Sequence, residues 1–150
     1  MDEDEFDKLA EYLQEKVLEE ERKIYSERVI NEFMHPQNVG KIENPDSWSR
    51  VTGLCGDTVE IFLQVENDTI KDIKFITDGC GPTIACNSYL TRIVKGKTLQ
   101  EAYRLEPKDI DEYFELPEES KHCAELAVAT LRTAIEKYLA KKEIEKELGE

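Results

Sequence analysis

Val59-Glu60-Ile61-Phe62-Leu63-Gln64-Val65, then Asn67-Asp68, then Ile73, Phe75 and Thr77 on a second alternating run, read as two strands around a tight turn. In the first run Val59, Ile61, Leu63 and Val65 alternate with Glu60, Phe62 and Gln64, the period-two signature of a strand with one buried face. The turn residues between the runs make a β-hairpin the economical reading. Gly79-Cys80-Gly81-Pro82 then breaks the sheet, and Pro82 suits the first turn of a helix. Ile84, Ala85, Ser88, Ile93 and Val94 carry that helix to Lys95-Gly96, a C-terminal cap.

Working outward, a helical pattern from Ile24 to Phe33 ends at Met34-His35-Pro36, where proline cannot continue the hydrogen-bond ladder. Residues 36–50, with Pro36, Gly40 and Pro45, read as an irregular connector. Residues 1–23 form an acidic extension with ten acidic and four basic side chains, net −6. Phe6, Leu9, Leu13 and Val17 fall at helical spacing along it, so an amphipathic helix is expected, its narrow stripe docked on the domain or on a partner. Downstream, Thr98-Leu99-Gln100-Glu101 is a capping box. Pro107 opens another helix over 109–114, and after Leu116-Pro117 a last helix runs to about Leu139, burying Leu126, Ala127, Leu131, Ala134, Ile135 and Tyr138. The fold class is α+β: a small antiparallel sheet of about three strands, covered by helices, with a long C-terminal helix. The chain divides into the extension 1–23, a domain 24–140 and a charged tail 141–150.

The 150 residues suit one ordinary domain, and 39% apolar residues can fill its core. No apolar run is long enough to cross a bilayer, so no membrane is expected. Met1-Asp2-Glu3-Asp4-Glu5 is acidic, unlike a targeting sequence, which places the protein in the cytoplasm. In a reducing compartment cysteines serve metals or catalysis more than disulfides. The formal charge of −14 repels phosphate backbones and excludes nucleic acid as a natural partner; basic protein surfaces fit better, although the charge also serves plain solubility.

Four cysteines stand at 55, 80, 86 and 123, with none of the usual zinc spacings. Cys55 lies in Gly53-Leu54-Cys55-Gly56-Asp57 just before the first strand, Cys80 lies between the second strand and a helix start, and Cys123 follows His122 near the start of the last helix. Helix N-termini stabilise thiolate, the metal-binding form, and the flanking glycines leave room for an inorganic cluster. A small buried hydrophobe is the plain alternative for any single cysteine. Three thiolates joined by a carboxylate or an imidazole, Asp57 or His122, would retain iron less firmly than four thiolates, which suits a site that must release a cluster. Asp57 also reads as a turn residue and His122 as a helix-start residue.

At these residues the sequence resembles the iron–sulfur scaffold family that includes IscU and the N-terminal domain of NifU. The resemblance spans about Ile24 to Leu139. It rests on Tyr25-Ser26-Glu27, Pro36-Gln37-Asn38-Val39-Gly40, Cys55-Gly56-Asp57, Gly79-Cys80-Gly81, Val94-Lys95-Gly96-Lys97-Thr98-Leu99, Leu116-Pro117 and His122-Cys123, in order. It implies an IscU-like fold and a scaffold, not an enzyme. In that reading Cys55, Cys80 and Cys123 match the cluster cysteines, and Asp57 and His122 match the residues tied to cluster lability and the fourth ligand position. It also implies sulfur supplied as persulfide by a cysteine desulfurase of the IscS/NifS type, with Cys123 as the candidate acceptor. Further implications are a [2Fe–2S] cluster, or a [4Fe–4S] cluster across a homodimer, passage to recipient apo-proteins, and Zn²⁺ in the cluster-free form.

Three departures qualify the match. The family's chaperone-binding Leu-Pro-Pro-Val-Lys reads Leu116-Pro117-Glu118-Glu119-Ser120, which argues against delivery through the specialised chaperone. Cys86 stands where serine is common, either as a buried thiol or as an extra ligand. The acidic extension is longer than the family minimum. Two other readings stay open: a zinc-dependent sulfurtransferase resembling SufU, and a noncatalytic regulatory or interaction module. The SufU branch carries an insertion between its second and third cysteines, for which the 43-residue step from Cys80 to Cys123 leaves no room.

Overall fold

The computed structural model describes residues 2–149. Its elements run α1 (Glu3–Ile24), α2 (Glu27–Met34), β1 (Ser47–Thr52), β2 (Thr58–Glu66), β3 (Thr69–Thr77), α3 (Gly81–Val94), α4 (Leu99–Tyr103), α5 (Pro107–Phe114), a short 3₁₀ turn (Glu118–Ser120) and α6 (Lys121–Leu148). The three strands form one antiparallel sheet in the order β1-β2-β3. Both residues of the expected Asn67-Asp68 turn have positive φ, 53° and 58°, the backbone that matches the twist of a two-residue hairpin. The capping box at Thr98 and Glu101 is formed on both sides.

The sheet turns one face to the helices. Across that face Ser49, Ile61 and Phe75 lie in one row, and Ser47, Leu63 and Ile73 in the next. The apolar members are fully buried and share one core cluster with Leu90, Ile110, Phe114, Leu131 and Ile135 from the helices. Trp48 and Phe62 stack on the opposite face, and Trp48 remains 41% exposed.

The connector expected over 36–50 proves to hold the start of β1. Its inward positions are Ser47 and Ser49 and its outward residue is Trp48, so the hydropathy pattern is inverted relative to an ordinary strand and gives no apolar alternation to read. Both serine hydroxyls are buried and donate to α6 carbonyls, Ser47 to Ala134 at 2.6 Å and Ser49 to Thr130 at 2.7 Å.

Helix boundaries also shift. Ile24 ends α1, and Ser26 caps α2 through its side chain, so the second helix starts three residues later than its apolar pattern. α6 continues as helix through Leu148, past the expected end at Leu139, and takes in most of the charged tail. Lys and Glu are good helix formers, so loss of the apolar stripe ends the packing and not the helix. α1 buries none of its residues: Phe6, Leu9, Leu13 and Val17 are between 42% and 62% exposed, so the stripe does not dock on its own domain. Among the described residues no helix is long and apolar enough to cross a membrane.

The Ser49 hydroxyl is fully buried, so Ser49→Ala should lower the unfolding free energy by about 1 kcal/mol, the usual net worth of such a bond. Urea denaturation of the two proteins, compared at equal m-value, measures it.

Candidate functional site

The site is built from three element ends. The first is the turn between β1 and β2, closed by Gly53 N–H donating to the Asp57 carbonyl at 2.8 Å and Gly56 N–H to the Gly53 carbonyl at 3.0 Å. Gly56 has φ +92°, a conformation that favours glycine. This turn exposes Cys55 beside a fully solvated Leu54 and directs Asp57 inward. The second is the β3–α3 junction, where Thr77 donates to the Thr58 carbonyl, and Asp78 accepts from the Thr58 N–H at 2.8 Å. Cys80 follows as the N-cap of α3, exposed and with its side chain free of any cap bond. The third is the first turn of α6, which carries His122 and the buried Cys123.

Two of these ends meet through a side chain that the sequence reading passed over. The Thr83 hydroxyl, fully buried in the first turn of α3, donates to Asp57 Oδ2 at 2.9 Å and lies 3.3 Å from Cys123 Sγ. On its other side Cys123 Sγ is 3.7 Å from His122 Nε2. Asp57, Thr83, Cys123 and His122 are thus one contact chain. Gly79 makes the closeness feasible, since a Cβ there would fall 2.8 Å from both Asp57 Oδ2 and the Thr83 side chain. No feature of the sequence marks Thr83, because threonine in a first helical turn is unremarkable. Tyr25 and Ser120 were missed as well: their hydroxyls meet at 3.4 Å beside the site.

Burial pushes the Cys123 thiol up to about 11; the Thr83 hydroxyl opposes this, and the charges of Cys80, Cys55 and Asp57 reinforce it. Burial likewise raises Tyr25, with Cys80 and Cys123 among the contributing charges. Cys86 lies wholly in the core on α3, and burial raises its thiol well above the ordinary value. Among the described residues, no three Cys, His, Asp or Glu side chains converge as tightly as a single bound metal ion requires. Cys55 and Cys80 stand out in solvent at the rim while Cys123 lies at the floor.

The chain matches the family described as NifU-like N-terminal domain over residues 24–145, so it belongs to that family, which also takes in IscU. It is 40% identical over 124 residues to the iron–sulfur cluster assembly scaffold protein IscU of Escherichia coli, covering 79% of this chain and 97% of that one. With IscU 1 of Archaeoglobus fulgidus it shares 41% over 120 residues, 79% of this chain and 78% of the relative. Among solved structures, a scaffold candidate for the SUF system from Fervidobacterium islandicum superposes with a TM-score of 0.63 at 26% identity, covering 75% of this chain and 97% of the other. The N-terminal NifU-like protein of Brucella abortus gives the same TM-score at 20% identity, covering 77% and 94%, and shows the shared fold.

A thiol held neutral by burial contributes stability below the unfolded thiol range and loses it as pH rises through the folded value. Cys123 alkylation by iodoacetamide in the metal-free chain should therefore rise about tenfold per pH unit from 8 to 10, levelling only near 11, and the unfolding midpoint should fall over the same window. Peptide mapping by mass spectrometry reads the first, a thermal melt series the second. A plateau in Cys123 labelling by pH 9 contradicts it.

Proposed function

We propose that the chain is a scaffold on which a transient iron–sulfur cluster is assembled and from which it is passed to recipient apo-proteins. The observation that carries this reading is the arrangement at the sheet end: two exposed cysteines on glycine-rich turns, a third at the floor, and a carboxylate and an imidazole within a contact chain of it. Thiolates suit iron, and the two non-thiolate donors offer an exchangeable fourth position. The ligand set we assign is Cys55, Cys80 and Cys123, with Asp57 or His122 completing it; Cys86, buried in the core, is left out. The cargo is a [2Fe–2S] cluster, and the exposed rim would let two chains share a [4Fe–4S] cluster.

Sulfur would arrive from a cysteine desulfurase as a persulfide. Cys123, once its proton passes to His122, attacks the outer persulfide sulfur; a bond from Cys123 to that sulfur forms, and the desulfurase thiolate leaves. No step requires turnover of a substrate by this chain alone, so it acts as a carrier and not as an enzyme. The specialised chaperone is not among the partners we assign. Ser120, standing in the lysine position of that motif, is buried, and Lys121 is engaged by Glu118 at 2.9 Å and by Asp111 at 3.7 Å.

The likeness to the SUF-system structure keeps a second reading in view: a zinc ion on the three cysteines and Asp57, with a thiolate accepting persulfide. Anaerobic reconstitution with a cysteine desulfurase, ferrous iron and cysteine separates the two. The scaffold reading expects visible charge-transfer absorption that is lost or strongly reduced in each of Cys55→Ser, Cys80→Ser and Cys123→Ser. Persistent zinc with a persulfide and no cluster would establish the sulfurtransferase, and a cluster indifferent to all three substitutions would refute both.

A further inference from the structure

Threonines inside helices ordinarily return their hydroxyl to a carbonyl one turn back. Thr91 does so to Ser88 at 2.7 Å, Thr130 to Leu126 at 2.7 Å and Thr133 to Ala129 at 2.8 Å. Thr83 is the exception among the described residues. Its hydroxyl leaves its own helix and faces Asp57 Oδ2 and Cys123 Sγ instead. Its backbone is fixed from below, since Asn87 Nδ2 donates to the Thr83 carbonyl at 2.9 Å. Gly79, with no Cβ to intrude, lets the carboxylate close in from above. One hydroxyl carries one proton, yet two acceptors stand within its reach.

We propose that Thr83 is a positioning residue that latches the Asp57 carboxylate in the cluster-free chain and releases it when Cys123 becomes a ligand. The proposal rests on the scaffold reading above. In the empty site the one Thr83 hydroxyl proton goes to Asp57 Oδ2 at 2.9 Å, the nearer of its two acceptors, and not to the Cys123 thiol sulfur at 3.3 Å. When the Cys123 sulfur bonds iron, its proton passes to solvent and the sulfur becomes an acceptor only. The Thr83 hydroxyl then turns to that sulfur, and Asp57 is let go and free to meet the metal. On discharge the order reverses: Cys123 regains a proton, and the hydroxyl recaptures the carboxylate, drawing it off the departing cargo. Thr83 touches the ligands and not the cargo, so it adjusts retention without supplying a ligand of its own.

The test uses Co²⁺ alone as the probe, titrated into the cluster-free full chain and followed by its thiolate charge-transfer and d–d absorption. A free carboxylate accepts a hydrogen bond more strongly than a metal-bound sulfur, so removing the hydroxyl costs the empty state more than the loaded one. Thr83→Val should therefore tighten Co²⁺ binding about tenfold, the scale of one hydrogen bond to a charged group. Thr83→Ser, which restores the hydroxyl, should bind as the unaltered chain does. In an Asp57→Ala background, Thr83→Val should make no difference. Circular dichroism checks folding, and Thr83→Ala carries the same expectation should the valine variant not fold. Binding by Thr83→Val equal to or weaker than that of the unaltered chain overturns the latch, as does a change that survives Asp57→Ala. Failure of the unaltered chain to take up Co²⁺ through its cysteines overturns the scaffold reading and the latch with it.

Discussion

Two buried serine hydroxyls fasten the long helix α6 across the edge strand β1. Thr130 and Ala134, whose carbonyls they grip, are one helical turn apart, about 6 Å along the axis, and Ser49 and Ser47 are two strand residues apart, about 6.6 Å. The spacings agree, so strand and helix run antiparallel in register. Leu126, one turn further up, reaches Gly53, where a Cβ would meet its side chain at 3.2 Å. One turn beyond that lie His122 and Cys123, opposite the turn bearing Cys55 and Asp57. The position of the site is thus a consequence of how helix and sheet are locked together, with α3 closing the third side through Thr83.

The same construction explains why the donors are gathered but not assembled. Cys123 is held at the floor by packing and by the Thr83 hydroxyl, while Cys55 and Cys80 sit on element ends with their side chains exposed. A permanent metal centre would have its ligands converged and their second partners in place. Here, among the described residues of the candidate site, only Asp57, Cys123 and His122 have such contacts, and these link the three to one another through Thr83 and the Cys123 sulfur. On the scaffold reading that arrangement favours transient occupancy, with Asp57 and Cys123 returning to their contacts with Thr83 when the cargo leaves.

Much of this was legible in the sequence, for identifiable reasons. The β2–β3 hairpin and α3 declared themselves because alternation, turn residues and a proline at the helix start all agree. β1 was hidden because its buried residues are serines whose hydroxyls, not apolar surface, hold it in place. The true end of α6 was hidden because the apolar stripe stops before the helix does. Cys55, Cys80 and Cys123 stood out by their place at element boundaries and by family resemblance, whereas Thr83 could be found only from distances, since its neighbours Asp57 and Cys123 lie 26 and 40 residues away in the chain. The acidic extension read correctly as helix, but no pattern within it could tell that its stripe would remain uncovered.

A cluster that is meant to leave must be seen to leave intact. The most direct measurement is visible circular dichroism during anaerobic mixing of the reconstituted chain with an apo-ferredoxin, with a ferrous chelator present. The account predicts that the signal of the donor is replaced by that of the holo-ferredoxin with little iron trapped by the chelator. A cluster that stays on the chain, or one that reaches the acceptor only after its iron has entered the chelator, would contradict it.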